Sequence, residues 1–118
     1  GNTETAVSPE RFADFYYKIL DISRKKTKAK FILIDPFYMS VDDKSNSFRS
    51  DVLKLIPEYL KVVHKMANLF DAISVQTHQA FQNQLKYRNA DFICAEPVHP
   101  YLTGHIVIAH ELLKKMQW

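Results

Sequence analysis

The chain has 118 residues, 47% hydrophobic and 25% charged, a length and balance that predict one globular domain over residues 1–118 with enough apolar side chains for a core. A net charge of +3 is too mild to call for nucleic acid, and a single cysteine excludes an intrachain disulfide and two-cysteine zinc motifs. No apolar run approaches the roughly 18 residues of a membrane span; the polar N-terminus lacks a signal-peptide pattern, and the lone thiol suits a reducing, cytoplasmic setting.

Residues 1–7 have no apolar period and read as a loop. Ser8-Pro9-Glu10 predicts a helix start, with Ser8 as cap and Pro9 at the first helical position. Phe12, Phe15, Tyr16, Ile19, Leu20 and Ile22 then share one face. The basic run Arg24-Lys25-Lys26-Thr27-Lys28-Ala29-Lys30 is either a solvated helix C-terminus or a phosphate-binding patch; no Gly-rich or aromatic pattern accompanies it. Phe31-Ile32-Leu33-Ile34, apolar on both faces, reads as a buried parallel strand that Pro36 stops. A polar loop over 37–47 follows, at the carboxyl end of that strand, where ligands of parallel sheets usually sit.

A second helix is predicted from about Phe48 to Phe70, with Val52, Leu55, Ile56, Tyr59, Leu60, Val63, Met66 and Ala67 inward and a kink or break near Ile56 from Pro57. Ala72-Ile73-Ser74-Val75 is the second strand. Thr77 caps a third helix through about Tyr87, with Ala80, Phe81 and Leu85 inward. Residues 88–100 read as irregular, and Ile106, Val107, Ala109, Leu112, Leu113 and Met116 mark a final amphipathic helix. The order α-β-α-β-α-loop-α predicts an α/β, three-layer αβα fold with parallel strands. Two strands make a thin sheet against the usual five or so, so the fold is expected to be incomplete, with an open edge at Phe31–Ile34.

The chemistry concentrates in Glu96-Pro97-Val98-His99-Pro100, followed by Gly104-His105. A carboxylate three residues before a histidine, between prolines, has the composition of the acid–base part of a catalytic triad: the histidine takes a nucleophile's proton and the carboxylate orients it. The same residues also suit a proline-stiffened connection. His78 follows a strand end and can approach the site. His64 and His110 fall among Lys and Glu on helices and are expected to face water. His105 is expected to pack or support rather than act as a base. Cys94, in Phe92-Ile93-Cys94-Ala95, reads as buried and structural. Asp35 faces the cleft or serves the turn before Pro36. The spacing of Glu96, His99 and His105 matches no metal site, and nothing calls for a cofactor.

Glu96-Pro97-Val98-His99-Pro100, Gly104-His105 and the helix start Ile106-Val107-Ile108-Ala109 resemble the last block of the SGNH (GDSL-type) serine ester hydrolases, in which an Asp-x-x-His motif supplies the triad acid and base. Glu96 departs from the usual Asp. The strands fit the family's fourth and fifth, so the resemblance covers most of the chain from Ser8 onward and implies the C-terminal half of such a domain. It implies His99 as base and Glu96 as acid in an acyl or acetyl esterase. The family's Gly-Asp-Ser nucleophile block and oxyanion glycine have no counterpart among the serines and glycines here. The expected partners are a small-molecule or carbohydrate ester for the parent enzyme, and the missing N-terminal half or a second copy at the open strand edge. The alternative is a degenerate remnant acting as a binding or assembly module.

Overall fold

The computed structural model describes residues 7–117. The expected N-terminal loop, apart from Val7, lies outside them. In chain order the elements are α1 (Pro9–Lys26), β1 (Ile32–Ile34), α2 (Phe48–Leu69), β2 (Ile73–Val75), α3 (Thr77–Leu85), a 3-10 turn (Ala90–Phe92), β3 (Cys94–Glu96), β4 (His99–Pro100) and α4 (Leu102–Lys115). This is the α/β arrangement that the sequence predicts, with one addition. The 88–100 segment is not irregular throughout: it carries an antiparallel β3–β4 hairpin whose strands are too short to show a period.

The helix starts obey local chemistry. The Ser8 hydroxyl accepts the Arg11 amide at 3.2 Å, and Ser47 does the same for Ser50 at 3.0 Å, each relieving an orphan donor at a helix N-terminus. The basic run does end α1: Arg24–Lys26 form its last turn, where cations meet the negative end of the helix dipole. Arg24 also donates to the Phe70 carbonyl and lies 4.5 Å from the Phe31 ring centre, tying the ends of α1 and α2 together. α2 runs through Pro57 without a break. Thr77 is not the cap of α3: Gln76 holds that position, and the Thr77 hydroxyl instead donates to the Asp35 carbonyl at 2.8 Å.

β1 and β2 pair in parallel, Ile32 with Ile73, Leu33 with Ser74 and Ile34 with Val75. One core lies between this sheet and α1–α2, built from Leu20, Leu33, Val63, Met66 and Ala67. A second lies under α3, α4 and the hairpin, built from Met39, Phe81, Leu85, Ile93 and Cys94. Several residues expected inward are open instead: Phe15, Ile19 and Ile22 on α1, Leu55 on α2, Ile106, Leu113 and Met116 on α4. The α1 trio, spaced i, i+4, i+7, forms a second apolar stripe beside the one that packs on α2 and β1.

β1 pairs only with β2 among the described residues, and Ile32 and Ile34 are 39% and 43% exposed. The molecule is a slab of 44 × 40 × 18 Å with a radius of gyration of 15.5 Å. A compact chain of this length would have roughly 13.5 Å. No helix among the described residues is long and apolar enough to cross a membrane.

Candidate active site

Glu96 and His99 face each other across the β3–β4 hairpin. Pro97 and Val98 make the turn, and neither takes a positive φ; the fixed φ of proline suits the first central position. The register shifts at Ala95, which sits as the extra residue of a bulge between the Cys94–Pro100 and Glu96–His99 pairs. Residues directly opposite in a ladder project to the same face, so the fold itself brings the two side chains together. Glu96 Oε1 lies 2.5 Å from His99 Nδ1.

The carboxylate can only accept, so Nδ1 carries the proton. The lone pair of the neutral ring is therefore on Nε2, which has no hydrogen-bond partner among the described residues. The pair is open to water, with side chains 59% and 71% exposed for Glu96 and His99.

The hairpin is fixed from three sides. The Met39 amide donates to the Pro97 carbonyl at 2.8 Å, binding the turn to the loop at the carboxyl end of β1. The Tyr101 amide donates to the Ile93 carbonyl at 2.8 Å, and the Thr103 hydroxyl to the Phe92 carbonyl at 2.6 Å. Gly104 lets the first turn of α4 close on the hairpin: a Cβ there would sit 2.6 Å from both the Ile93 oxygen and the Pro100 Cβ.

No serine among the described residues is hydrogen-bonded to His99. Ser8 and Ser47 cap helices, the Ser23 hydroxyl donates to the Ile19 carbonyl at 2.8 Å, and the Ser40 hydroxyl accepts from the Asp42 amide. Ser74 Oγ is buried in β2 without a partner. Cys94 is buried as expected. Its thiol donates to the Ala90 carbonyl at 3.2 Å, and burial pushes its pKa up, so it is a poor nucleophile. Gly1 lies outside the described residues and Gly104 is spent in packing. No group of three or more side chains suited to hold a metal occurs among the described residues.

The other candidates meet expectation only in part. His105 is exposed and makes no side-chain hydrogen bond to Glu96 or His99 among the described residues. His110 does face water as expected, with its side chain 69% exposed and 3.6 Å from Glu111. His64, expected to face water, places Nε2 at 3.0 and 3.2 Å from the two carboxylate oxygens of Asp35. Asp35 serves neither the cleft nor a simple turn: its side chain is 2% exposed and lies under α2. Burial pushes its pKa up, and the His64 ring pulls it partly back. Sequence reasoning missed this pair because its partners stand 29 positions apart.

No protein-family model matches the chain. An acetylxylan esterase of Geobacillus stearothermophilus is 27% identical over 85 residues, which span 72% of this chain and 36% of that protein. Among solved structures, a catalytic mutant of Axe2, an acetylxylan esterase from the same organism, superposes with a TM-score of 0.85 at 21% identity, over 99% of this chain and 51% of its own. LAE5, an α/β hydrolase enzyme from the metagenome of Lake Arreo, gives 0.81 at 20% identity, over 98% and 50%. The chain carries the fold of these hydrolases and spans about half the length of the solved ones. The resemblance drawn from the closing block thus finds its counterpart in an ester hydrolase fold, of which the chain matches about half, consistent with the C-terminal part that the motif implies. Catalytic mutants of Axe2 replace a serine, an aspartate and a histidine, the last two three positions apart.

Proposed function

We propose that this chain carries the acid–base part of a serine ester hydrolase of the SGNH type, acting on an acyl or acetyl ester. The observation that carries the reading is the Glu96–His99 pair itself: a histidine with Nδ1 on a carboxylate and with Nε2 left without a hydrogen-bond partner among the described residues. The spacing of the catalytic aspartate and histidine of Axe2 supports it, as does the fold. In this mechanism a serine hydroxyl from outside residues 1–118 attacks the ester carbon. His99 Nε2 takes its proton and passes it to the departing alcohol. The acyl group stays on the serine oxygen until water, giving a proton to the same nitrogen, attacks it; the acid leaves, the proton returns to the serine oxygen, and Glu96 stabilises the imidazolium formed in each half-reaction. An acetylated carbohydrate is the substrate class that the acetylxylan esterases suggest. Glu96 is one methylene longer than aspartate, and the two-residue turn accommodates that length by setting the pair directly across the ladder.

The open side of β1, with Ile32 and Ile34 exposed, is where the remaining strands and helices of such a domain would lie, and the exposed Phe15–Ile19–Ile22 stripe of α1 is further apolar surface for them to cover. A second reading is a non-catalytic remnant used for binding or assembly, which the lack of a serine hydrogen-bonded to His99 among the described residues favours. The reading frame upstream of Gly1 separates the two. A Gly-Asp-Ser block there, with ester hydrolysis by the whole product that His99→Ala removes, supports the hydrolase. An intact frame without that block, making a stable inactive protein, supports the module.

A further inference from the structure

The hairpin that bears Glu96 and His99 pairs with no other strand among the described residues, and both side chains stand in water. Its aim must therefore come from what grips its backbone. The grip at the turn is the Met39 amide on the Pro97 carbonyl. Met39 is fully buried, and α3 holds the backbone on either side of it. The Tyr38 amide donates to His78 Nδ1 at 3.2 Å. Gln82 Nε2 donates to the Tyr38 carbonyl at 3.0 Å and to the Ser40 carbonyl at 3.1 Å.

The Tyr38 carbonyl and the Met39 amide belong to one peptide group. That group is planar and trans, so its oxygen and its hydrogen point in opposite directions. A donor fixed on the oxygen by Gln82 therefore aims the hydrogen at Pro97. The bonds run in series, Gln82 to Tyr38–Met39 to Pro97, and each polarises the next. His78 and Gln82 stand one helical turn apart and reach the loop from the same face of α3. Since the Tyr38 amide needs an acceptor, the His78 proton sits on Nε2, and burial favours that neutral ring by lowering its pKa.

We propose that His78 and Gln82 are positioning residues for the Glu96–His99 pair: they orient the Tyr38–Met39 peptide, which in turn holds the hairpin turn at Pro97. The proposal rests on the acid–base reading of that pair only for its functional meaning.

The experiment is amide hydrogen exchange and imidazole nitrogen NMR on the 118-residue chain. The Asp35 amide, bonded at 3.0 Å to Val75 in the sheet ladder, is the internal reference. His78→Ala and Gln82→Ala should each speed exchange at Met39 by about tenfold relative to Asp35, the weight of roughly one hydrogen bond. The His99 ring should at the same time lose its preference for the Nδ1–H tautomer. His78→Asn, whose Oδ1 stands near the place of Nδ1, should restore both. Unchanged Met39 exchange in the double variant would overturn the proposal. So would acceleration of Met39 and Asp35 together, because the two residues would then support the fold as a whole. If the whole protein proves inactive while the exchange pattern holds, the esterase reading fails and the positioning device stands.

Discussion

Two of the histidine–carboxylate pairs among the described residues meet opposite surroundings. Glu96 and His99 are neighbours in sequence, face each other across a hairpin and stand in water. Asp35 and His64 come from the end of β1 and the middle of α2, with the carboxylate almost wholly enclosed and the ring 40% exposed. Attraction between exposed charges is weak, so the first pair is kept together by the hairpin backbone and not by its own charge. Its histidine is left with a nitrogen that does nothing for the fold. In the second pair a single ring nitrogen serves both carboxylate oxygens, and the carboxylate has been taken out of water. That pair fastens α2 to β1 and costs desolvation to keep. A free lone pair is what the proposed chemistry needs, and burial is what the scaffold uses.

The contrast can be broken by substitution. In a complete hydrolase, His99→Ala should lower kcat/KM by about a thousand-fold or more, and Glu96→Gln by less, since water can partly replace an exposed carboxylate; steady-state kinetics on an acetyl ester checks both. His64→Ala should lower unfolding stability by about 2–3 kcal/mol, because it strands a buried carboxylate, and it should leave the His99 ring unchanged; urea denaturation with imidazole NMR reads the two together. Gly104→Ala should cost about 1–3 kcal/mol and disturb the hairpin, since the added methyl meets backbone on one side and a proline ring on the other. The double variant Glu96→Ala/His99→Ala should change stability by only about 0.5 kcal/mol.

The effect of pH on the buried pair follows from the upward shift at Asp35. The folded state holds that proton more tightly than the unfolded chain does. The contribution of Asp35 to stability is therefore fully present below its ordinary value of 3.8 and is lost as pH rises through the raised one. Asp35→Asn should remove that slope, so the wild-type minus variant stability should fall as pH rises above the ordinary value of 3.8 and through the raised one. A difference that rises over that range would contradict the assignment.

Much of the fold is legible in the sequence because it is local. Ser8-Pro9 starts α1, the run Phe31–Ile34 contains β1, and Ala80, Phe81 and Leu85 do face the core. The hairpin escapes because strands of two and three residues carry no period, and its bulge at Ala95 breaks even a short alternation. Phe15, Ile19 and Ile22 look like core by spacing, but spacing cannot say whether another layer covers them. The placement of Glu96 beside His99 is legible because a turn of two residues settles it. The Asp35–His64 pair and the reach of His78 and Gln82 to Tyr38 depend on how the second helix and third helix settle on the sheet, and no window of sequence holds both partners.

The most direct test of the central claim is turnover of p-nitrophenyl acetate by the 118-residue chain beside the product of its full reading frame. The chain alone should hydrolyse no faster than its His99→Ala variant and should take no label from a serine-directed fluorophosphonate, whereas the full product should turn over and lose that turnover with His99→Ala. A rate from the chain alone that both His99→Ala and the fluorophosphonate abolish would contradict the account, as would full-length activity indifferent to His99.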